Sequence, residues 1–524
     1  MRLFPPQHHM HNWLRYLQTK HKLGDVFYLD LWPVGPRILF LVDPEMISKF
    51  ITTGQSLPKS TLETEYLDVF LGKSNMVSLE GSHWKNLRSM FNPGFSPSHL
   101  MTLVPYIVDA GMVFYDVIKE KAQTGELFEL EEYATRMTID IIGKVVLDSD
   151  FDSQKVPHPI VDTFRKRVIY MPNTSSPYIW EKIGFIRPIQ LWLNGIKLDR
   201  LLMEELDKKI KEREENKSGT KPKSFKDRKK SVVDLALDGH EKEMQEKGVP
   251  FTDLKSNAKI RRDVVDSMKT FIFAGHDTTA STISYIFYLL HLHPQVYRRV
   301  IQELDDVFGA GANPHTIAAA IKKDPHITNK LEYGNAVVKE TLRIFPPAST
   351  LRFAPPESDP TKVIYVVDPK TGRRLPISGW DIWPAVHAVS RNEDFFPEPV
   401  RFVPERFIQS ETPYPDSKLF TPAGKDAWRP FEKGPRSCIG QELAMIESRV
   451  TLALLVKDFD FVAEYDGVKC DTWTPIEMVD EFKDGKPGSE RLTIEGHRTY
   501  QILKGAAKPR DGMPGRMTKR KVAA

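Results

Sequence analysis

One of the chain's two cysteines, Cys438, lies in a loop from Phe431 to Gly440 that is punctuated by Gly434, Pro435 and Gly440. Glycines beside a thiol let a flat group approach the backbone closely, and Gln441, Glu442, Leu443, Ala444 and Met445 begin a helix directly behind it. A helix N-terminus favours negative charge. Arg436 adds a fixed positive charge two residues before the sulfur, and both effects are expected to lower the thiol pKa and keep the sulfur ionised. A lone cysteine is more often an inert buried residue. The spacing F-x-x-G-x-R-x-C-x-G instead suits a thiolate presented to a metal, or a reactive nucleophile.

A second polar group falls inside a stretch that should be one helix. Residues 260–293 contain no proline and end at Pro294, a span of roughly 50 Å at about 1.5 Å per residue. Apolar residues on more than one face predict a buried, central position. In its middle stand Ala274, Gly275, His276, Asp277, Thr278 and Thr279. Glycine there costs about 1 kcal/mol relative to alanine, and aspartate and threonine compete for backbone hydrogen bonds. The run therefore predicts a local kink or a groove opened for a ligand. In such a groove Asp277 and Thr278 could carry protons, although small residues packing against another helix would leave the same pattern.

Glu340 and Arg343 place opposite charges three apart on a helix read over residues 329–344, which stops at Pro346 and Pro347. An exposed pair of that kind stabilises by only about 0.2–0.5 kcal/mol. Joined by Arg406, from the run Pro404 to Phe407, it could form a partly buried brace for the cysteine loop, a geometry that guanidinium forks suit. Trp84 and Arg88, four apart, offer an indole N–H and a guanidinium to one anionic group.

Other candidates carry less. The glycines between Phe308 and Pro314 lack the third glycine and the preceding strand of a nucleotide loop. His8, His9 and His11 form a small cluster expected at an unstructured terminus, and Cys470 reads as incidental. Two cysteines cannot build a disulfide framework, so the chain reads as one folded in, or facing, a reducing compartment. With 74 basic and 70 acidic residues and a net charge of +4, nothing favours nucleic acid, whose binders show a basic face. No segment reaches the roughly 18 consecutive apolar residues of a membrane span. The N-terminus also lacks the apolar core of a signal peptide, and a peripheral or cytosolic protein is expected.

The elements that must position these residues are mainly helical. A polar helix near residues 12–22 precedes a β-hairpin of residues 26–31 and 37–42, and helices dominate from Pro44 to about residue 210 with breaks at residues 93–94, 157–159 and 172–177. The charge-dense residues 208–230 read as a solvated loop. Short strands are expected at residues 363–367 and 499–503. The fold class is mainly α with a minor β region: a segment over residues 1–23 with no membrane anchor, one large domain over residues 24–508, and a basic, disordered tail over residues 509–524.

Taken in this order, the motifs resemble those of the cytochrome P-450 superfamily, the haem-thiolate monooxygenases, over nearly the whole chain. The cysteine signature is matched at Phe431, Gly434, Arg436, Cys438 and Gly440, the oxygen-activation motif from Ala274 to Thr279, the paired charges at Glu340 and Arg343, and the meander motif from Pro404 to Phe407. The resemblance implies haem b, buried between the long helix and the cysteine-loop helix, with Cys438 as axial iron ligand, a thiolate pushing electron density through iron. It further implies that Trp84, Arg88, Arg352 and Arg436 anchor the propionates and that Asp277 and Thr278 relay protons. Phe271, Ala274, Ala348, Ser349 and Thr350 would line the substrate space. Electrons would come from NADPH through a separate cytochrome P-450 reductase, drawn to a basic surface at Lys425, Arg429 and Lys433. Family members of this kind work at the cytosolic face of the endoplasmic reticulum, which makes peripheral membrane contact the expectation here.

The ending from Thr499 to Arg516 resembles those of fungal members that tailor polyketides and other secondary metabolites, including mycotoxin-type pathways, and implies a bulky, apolar substrate. An isomerase or dehydratase on the same fold is the first competing reading, disfavoured because it needs no proton relay. A catalytically silent haem-binding protein is the second.

Overall fold

The computed structural model describes residues 8–33, 35–52, 57–171, 186–217, 229–246, 257–422, 424–471 and 492–520. Thirteen longer helices follow one another among them: α1 Met10–Lys20, α2 Thr61–Leu71, α3 Gly81–Phe91, α4 Pro97–Thr124, α5 Leu130–Ile142, α6 Pro159–Ile169, α7 Ile186–Lys217, α8 Val232–Glu246, α9 Ala258–Leu292, α10 Pro294–Phe308, α11 Pro314–Lys323, α12 Glu332–Ile344 and α13 Gln441–Leu455. The expected long helix is α9. It starts on an Asn257 side-chain cap and ends where Pro294 removes the next donor. Nearly its whole length is buried, since α5 packs along it and α12, α13 and α7 lean on it.

Proline and glycine punctuate the rest much as their physics requires. Pro93 and Gly94 fall in a 3-10 turn between α3 and α4, and Pro159 opens α6 at its first position, where no donor is lost. The break at residues 172–177 lies outside the described residues. Helix α4 is long and apolar enough to cross a membrane, yet it packs against α13, α5 and α11, as a core helix does. The charge-dense stretch is not all loop: its first part, to Lys217, continues α7, because lysine and glutamate are good helix formers.

Among the described residues, twelve strands make up the minor β region. The hairpin β1 (Val26–Asp30) and β2 (Arg37–Leu41) forms as expected. It joins a four-stranded sheet in the order β1-β2-β7-β4, with β4 at Arg352–Ala354 and β7 at Trp380–Pro384. Strands β5 (Tyr365–Val367) and β6 (Arg374–Pro376) pair beside it. A second sheet has the order β3-β12-β8-β9, with β3 Phe128–Glu129, β8 Phe459–Tyr465, β9 Val468–Lys469 and β12 Pro514–Lys519. Strands β10 (Gln501–Lys504) and β11 (Ala506–Pro509) form a hairpin.

Two expectations fail at the ends of the chain. The described part of the tail, residues 509–520, is not disordered: β12 pairs antiparallel with β8 from Gly515 opposite Ala463 to Lys519 opposite Phe459. Met513 and Met517 are fully buried, while Arg516 between them reaches Glu464 and the Gly125 carbonyl. Period-2 alternation hides an apolar face behind the basic composition. Nor is the histidine cluster loose. His9 caps α1, and His11 stacks on His387 at 4.4 Å, both rings buried and held neutral by that burial.

Candidate functional site

The cysteine loop is fastened by its own backbone. The Cys438 N–H donates to the Phe431 carbonyl at 2.8 Å and the Ser437 N–H to that of Gly434 at 3.0 Å. Gly434 adopts φ +74°, and a side chain there would meet the Thr52 carbonyl, so this position calls for glycine. Gly440 is the N-cap of α13 with no side-chain cap. The N–H groups of Gly440 and Gln441 are thus free to turn toward the sulfur.

The thiol pKa runs against expectation. Burial pushes Cys438 up, and the Gly440 and Gln441 N–H groups and the Arg88 charge offset that only in part. The cation that reaches the sulfur is Arg88, not Arg436. Arg436 lies over the Trp84 ring at 3.9 Å and donates to the Leu79 carbonyl at 2.7 Å. Cys438 nevertheless has accessible surface. A sulfur both accessible and strongly desolvated stands on the wall of an interior space, not on the outside of the molecule.

Three guanidiniums gather beside it. Arg352, on β4, is 2% exposed and its Nε has no acceptor among the described residues. Burial and then repulsion from Arg352 and Arg88 lower Arg436 to about 10. The nearest carboxylates are already engaged: Glu63 by Lys59, Thr350 and the Leu351 N–H, and Glu80 by the Lys59 N–H. Like charges held together in a dry place are costly unless an anion joins them. A flat group carrying a metal and two edge carboxylates fits this set, with the metal at Cys438 and the carboxylates among Trp84, Arg88, Arg352 and Arg436.

The brace forms, and it is fully buried. Arg343 makes a bidentate pair with Glu340, 2.7 Å at each contact, and donates to the carbonyls of Ser390, Pro399 and Arg401. Arg406 Nε adds a third bond to Glu340 at 3.0 Å, and the Val403 N–H a fourth. Burial pushes Glu340 up, but the two arginines outweigh it and hold its carboxyl below the usual range. A link to the cysteine loop runs through Trp428, whose indole donates to the Lys339 carbonyl and whose ring meets Phe407 and Phe431. Trp428 stands in no recognised motif, and only its place between two of them could have signalled it.

On α9 the two polar residues part company. Thr278 is half-buried and donates from Oγ1 to the Ala274 carbonyl at 2.7 Å; Ala274 is exposed on the same face. Asp277 is 1% exposed and turned elsewhere, 2.6 Å from Lys508 Nζ and 2.9 Å from His276 Nε2. Lys508 also contacts Glu131 at 2.9 Å. Burial alone would raise Asp277, but Lys508 and His276 hold it well below the carboxylate range; the same contacts outweigh burial and raise Lys508. Sequence reasoning missed Lys508, at the last position of the expected domain. α9 stays helical through Gly275, where a side chain would strike Ile142 at 2.4 Å, so this glycine serves close packing with α5.

The remaining assignments divide. Ala274 and Ala348 are exposed. Phe271 is core, wedged between Phe91 and Phe95. Thr350 is buried on Lys59 and Glu63, and Ser349 Oγ accepts from the Trp383 indole. Of the basic surface, Lys425 is exposed and Lys433 half-buried, but Arg429 is 1% exposed and paired with Glu432.

Comparison with known proteins agrees with this geometry. A family model described as Cytochrome P-450 matches residues 2–475. The cytochrome P-450 monooxygenase acrF of Aspergillus aculeatus is 34% identical over 509 residues, covering 95% of each chain. The cytochrome P-450 monooxygenase polC of Polytolypa hystricis is 34% identical over 501 residues, 96% of this chain and 83% of that one. The crystal structure of a cytochrome P-450, CYP102L1, superposes with a TM-score of 0.69 at 18% identity over 98% of both chains. The chain belongs to the cytochrome P-450 family of haem-thiolate monooxygenases.

Proposed function

We propose that Cys438 holds the haem iron and that the enzyme inserts one atom of O2 into an unreactive C–H or C=C bond of a bulky, apolar secondary metabolite, the other atom leaving as water. The observation that carries this reading is the convergence of a desolvated, accessible sulfur with three guanidiniums that form no ion pair among the described residues. Similarity to acrF and polC supports the metabolic setting. The haem, when bound, supplies the activation of O2. Trp84, Arg88, Arg352 and Arg436 orient it by its propionates, Phe431 packs the loop, and Gly434 and Gly440 keep the approach clear. Thr278 holds a proton at Oγ1 on the open face of α9. Asp277 acts from behind it as a positioning residue.

Electrons come from a separate NADPH-fed reductase that docks near Lys425 and Lys433, a contact that weakens with salt. An apolar ridge on α7, with Ile186 70%, Ile189 55% and Leu193 49% exposed, supports peripheral attachment to a membrane. The test is spectroscopic. The ferrous CO complex should show the thiolate-type band, and Cys438→Ala should abolish it; an unchanged band in the variant overturns the ligand assignment. Product that forms without O2 or NADPH would favour the isomerase reading instead.

A further inference from the structure

A cavity of about 830 Å³ opens between the end of α2, α6, the start of α7 and the first third of α9. None of its lining residues belongs to the cysteine loop or to the arginine cluster beside it. One wall is apolar, built from Leu191, Trp192 and Ile196 on α7 with Val69 opposite. The other is charged, and its carboxylates all have partners. Asp68 accepts from Asn75 at 2.8 Å, and Asp199 lies 2.6 Å from Arg262 and 2.8 Å from Lys269. Asp266 lies 2.7 Å from Lys269 and accepts from the Ser74 N–H at 3.0 Å.

Arg167 is the exception. It lines the cavity at 5% exposure, gives one bond, from Nη2 to the Val69 carbonyl at 2.6 Å, and makes no ion pair among the described residues. Its Nε is buried and has no acceptor among the described residues. Asp199 and Asp266 favour its charge from a distance, but a buried guanidinium with no carboxylate bonded to it among the described residues is costly, and its planar fork suits one. Beneath it lies the Phe70 ring, 5.2 Å away. Phe70 meets Phe164 and Phe273, each with ring centres 5.0 Å from its own. Phe273 directly precedes Ala274.

We propose that this cavity is an outer binding site for an amphipathic organic acid, its carboxylate forked on Arg167 and its apolar body laid against Leu191 and Trp192. Phe70, Phe164 and Phe273 stand between this site and the face of α9 that bears Ala274 and Thr278. The outer site thereby selects acids before they reach the inner face, a step that rests on the function proposed above; the binding itself does not.

Calorimetry on the haem-loaded full chain, with dodecanoate and dodecan-1-ol below their aggregation limits, tests the site. Dodecanoate should bind at least about tenfold more tightly than the alcohol, without moving the haem absorption band at the concentration that fills the site. Arg167→Gln should bring the acid to the level of the alcohol, Arg167→Lys should retain part of the preference, and Trp192→Ala should weaken both probes alike. Equal binding of acid and alcohol by the parent protein overturns the proposal even if Arg167→Gln does not fold. So does a preference that survives Arg167→Gln, or a haem band that shifts as the acid binds. Loss of the thiolate-type CO band would count against Cys438 and leave the calorimetric result standing.

Discussion

Two buried charge clusters flank the proposed haem site, and they differ in how completely they are satisfied. Behind the cysteine loop, Glu340 receives four hydrogen bonds, and Arg343 spends its remaining donors on backbone carbonyls. Among the described residues Arg406 Nη2 lacks an acceptor there, and the Tyr414 ring lies 4.9 Å from that guanidinium. Behind α9, Lys508 must serve two carboxylates, and Asp277 Oδ2 is left buried without a donor. The first cluster carries excess positive charge, and its carboxylate is saturated with bonds. The second carries excess negative charge, and the Asp277 carboxylate is not. A saturated network rigidifies what it holds, whereas a partly satisfied one keeps a group that responds to its surroundings. The contrast suits a loop that must fix a metal ligand and a helix that must accommodate substrate.

The sharpest way to break the comparison is Arg343→Ala. It strands the Glu340 charge where no water reaches it, and breaking a buried pair of this kind costs about 3–5 kcal/mol. Arg343→Lys should recover little, because an ammonium cannot fork onto Glu340 and three carbonyls together. Chemical denaturation and the yield of haem-loaded protein check both. If Arg343→Ala is as stable as its parent, the network braces nothing.

Lys508→Met should cost less, about 2–3 kcal/mol at neutral pH, since His276 still faces Asp277. Its pH dependence is the more telling outcome. In the parent, Asp277 titrates below its unfolded value and Lys508 above its own. The stability each contributes is lost only as pH falls through the depressed aspartate pKa or rises through the elevated lysine pKa, so it is level between. Without Lys508, burial raises Asp277, and folding then takes up a proton. The variant's deficit in thermal midpoint should be larger at pH 8 than at pH 5; a pH-independent deficit would show that Asp277 does not depend on Lys508.

How much of this was legible in the sequence follows from where the partners lie along the chain. Cys438 and its loop are contiguous, and Glu340 and Arg343 share one helical turn, so type and spacing sufficed for both. Arg406 was reachable because its own short motif announced it. Lys508 was not, because a lysine in a short basic stretch has no local signal; only the hairpin of β11 with β10, packed on α9, brings it inside. The same limit explains Arg429 and Phe271. Its charge placed the one on a surface and family resemblance the other in a binding space, but burial is decided by the elements that fold over them. Arg88 replaced Arg436 as the sulfur's counter-charge because distance along the loop is a poor measure of distance through space.

A third buried carboxylate offers a control for both clusters. Glu447, on α13 behind the cysteine loop, is 1% exposed, its Oε2 has no donor, and burial alone raises its pKa well above the carboxylate range. An acid raised on folding destabilises the native state as pH climbs past its unfolded value, because the unfolded chain can ionise and the folded one cannot. Glu447→Gln should therefore be more stable than the parent at pH 8, by on the order of 1–2 kcal/mol, and indistinguishable from it near pH 4. A loss of stability at both pH values would mean that Glu447 has a charge partner after all.

The smallest change in stability belongs to Thr278→Ala, and there function and stability should separate. The lost bond to the Ala274 carbonyl is a back-bond within the helix, a kind that tends to bend helices slightly, and alanine is the better helix former. Both effects are small and favour alanine, so stability should change by less than about 0.5 kcal/mol and haem content should be unchanged. If Thr278 holds a proton on the open face, the variant should still consume NADPH but send a severalfold larger share of the electrons to peroxide. Peroxide and product are measured together per NADPH. An unaltered ratio would move the proton path off Thr278 and back toward the unpartnered oxygen of Asp277, making the loosely satisfied cluster the working one.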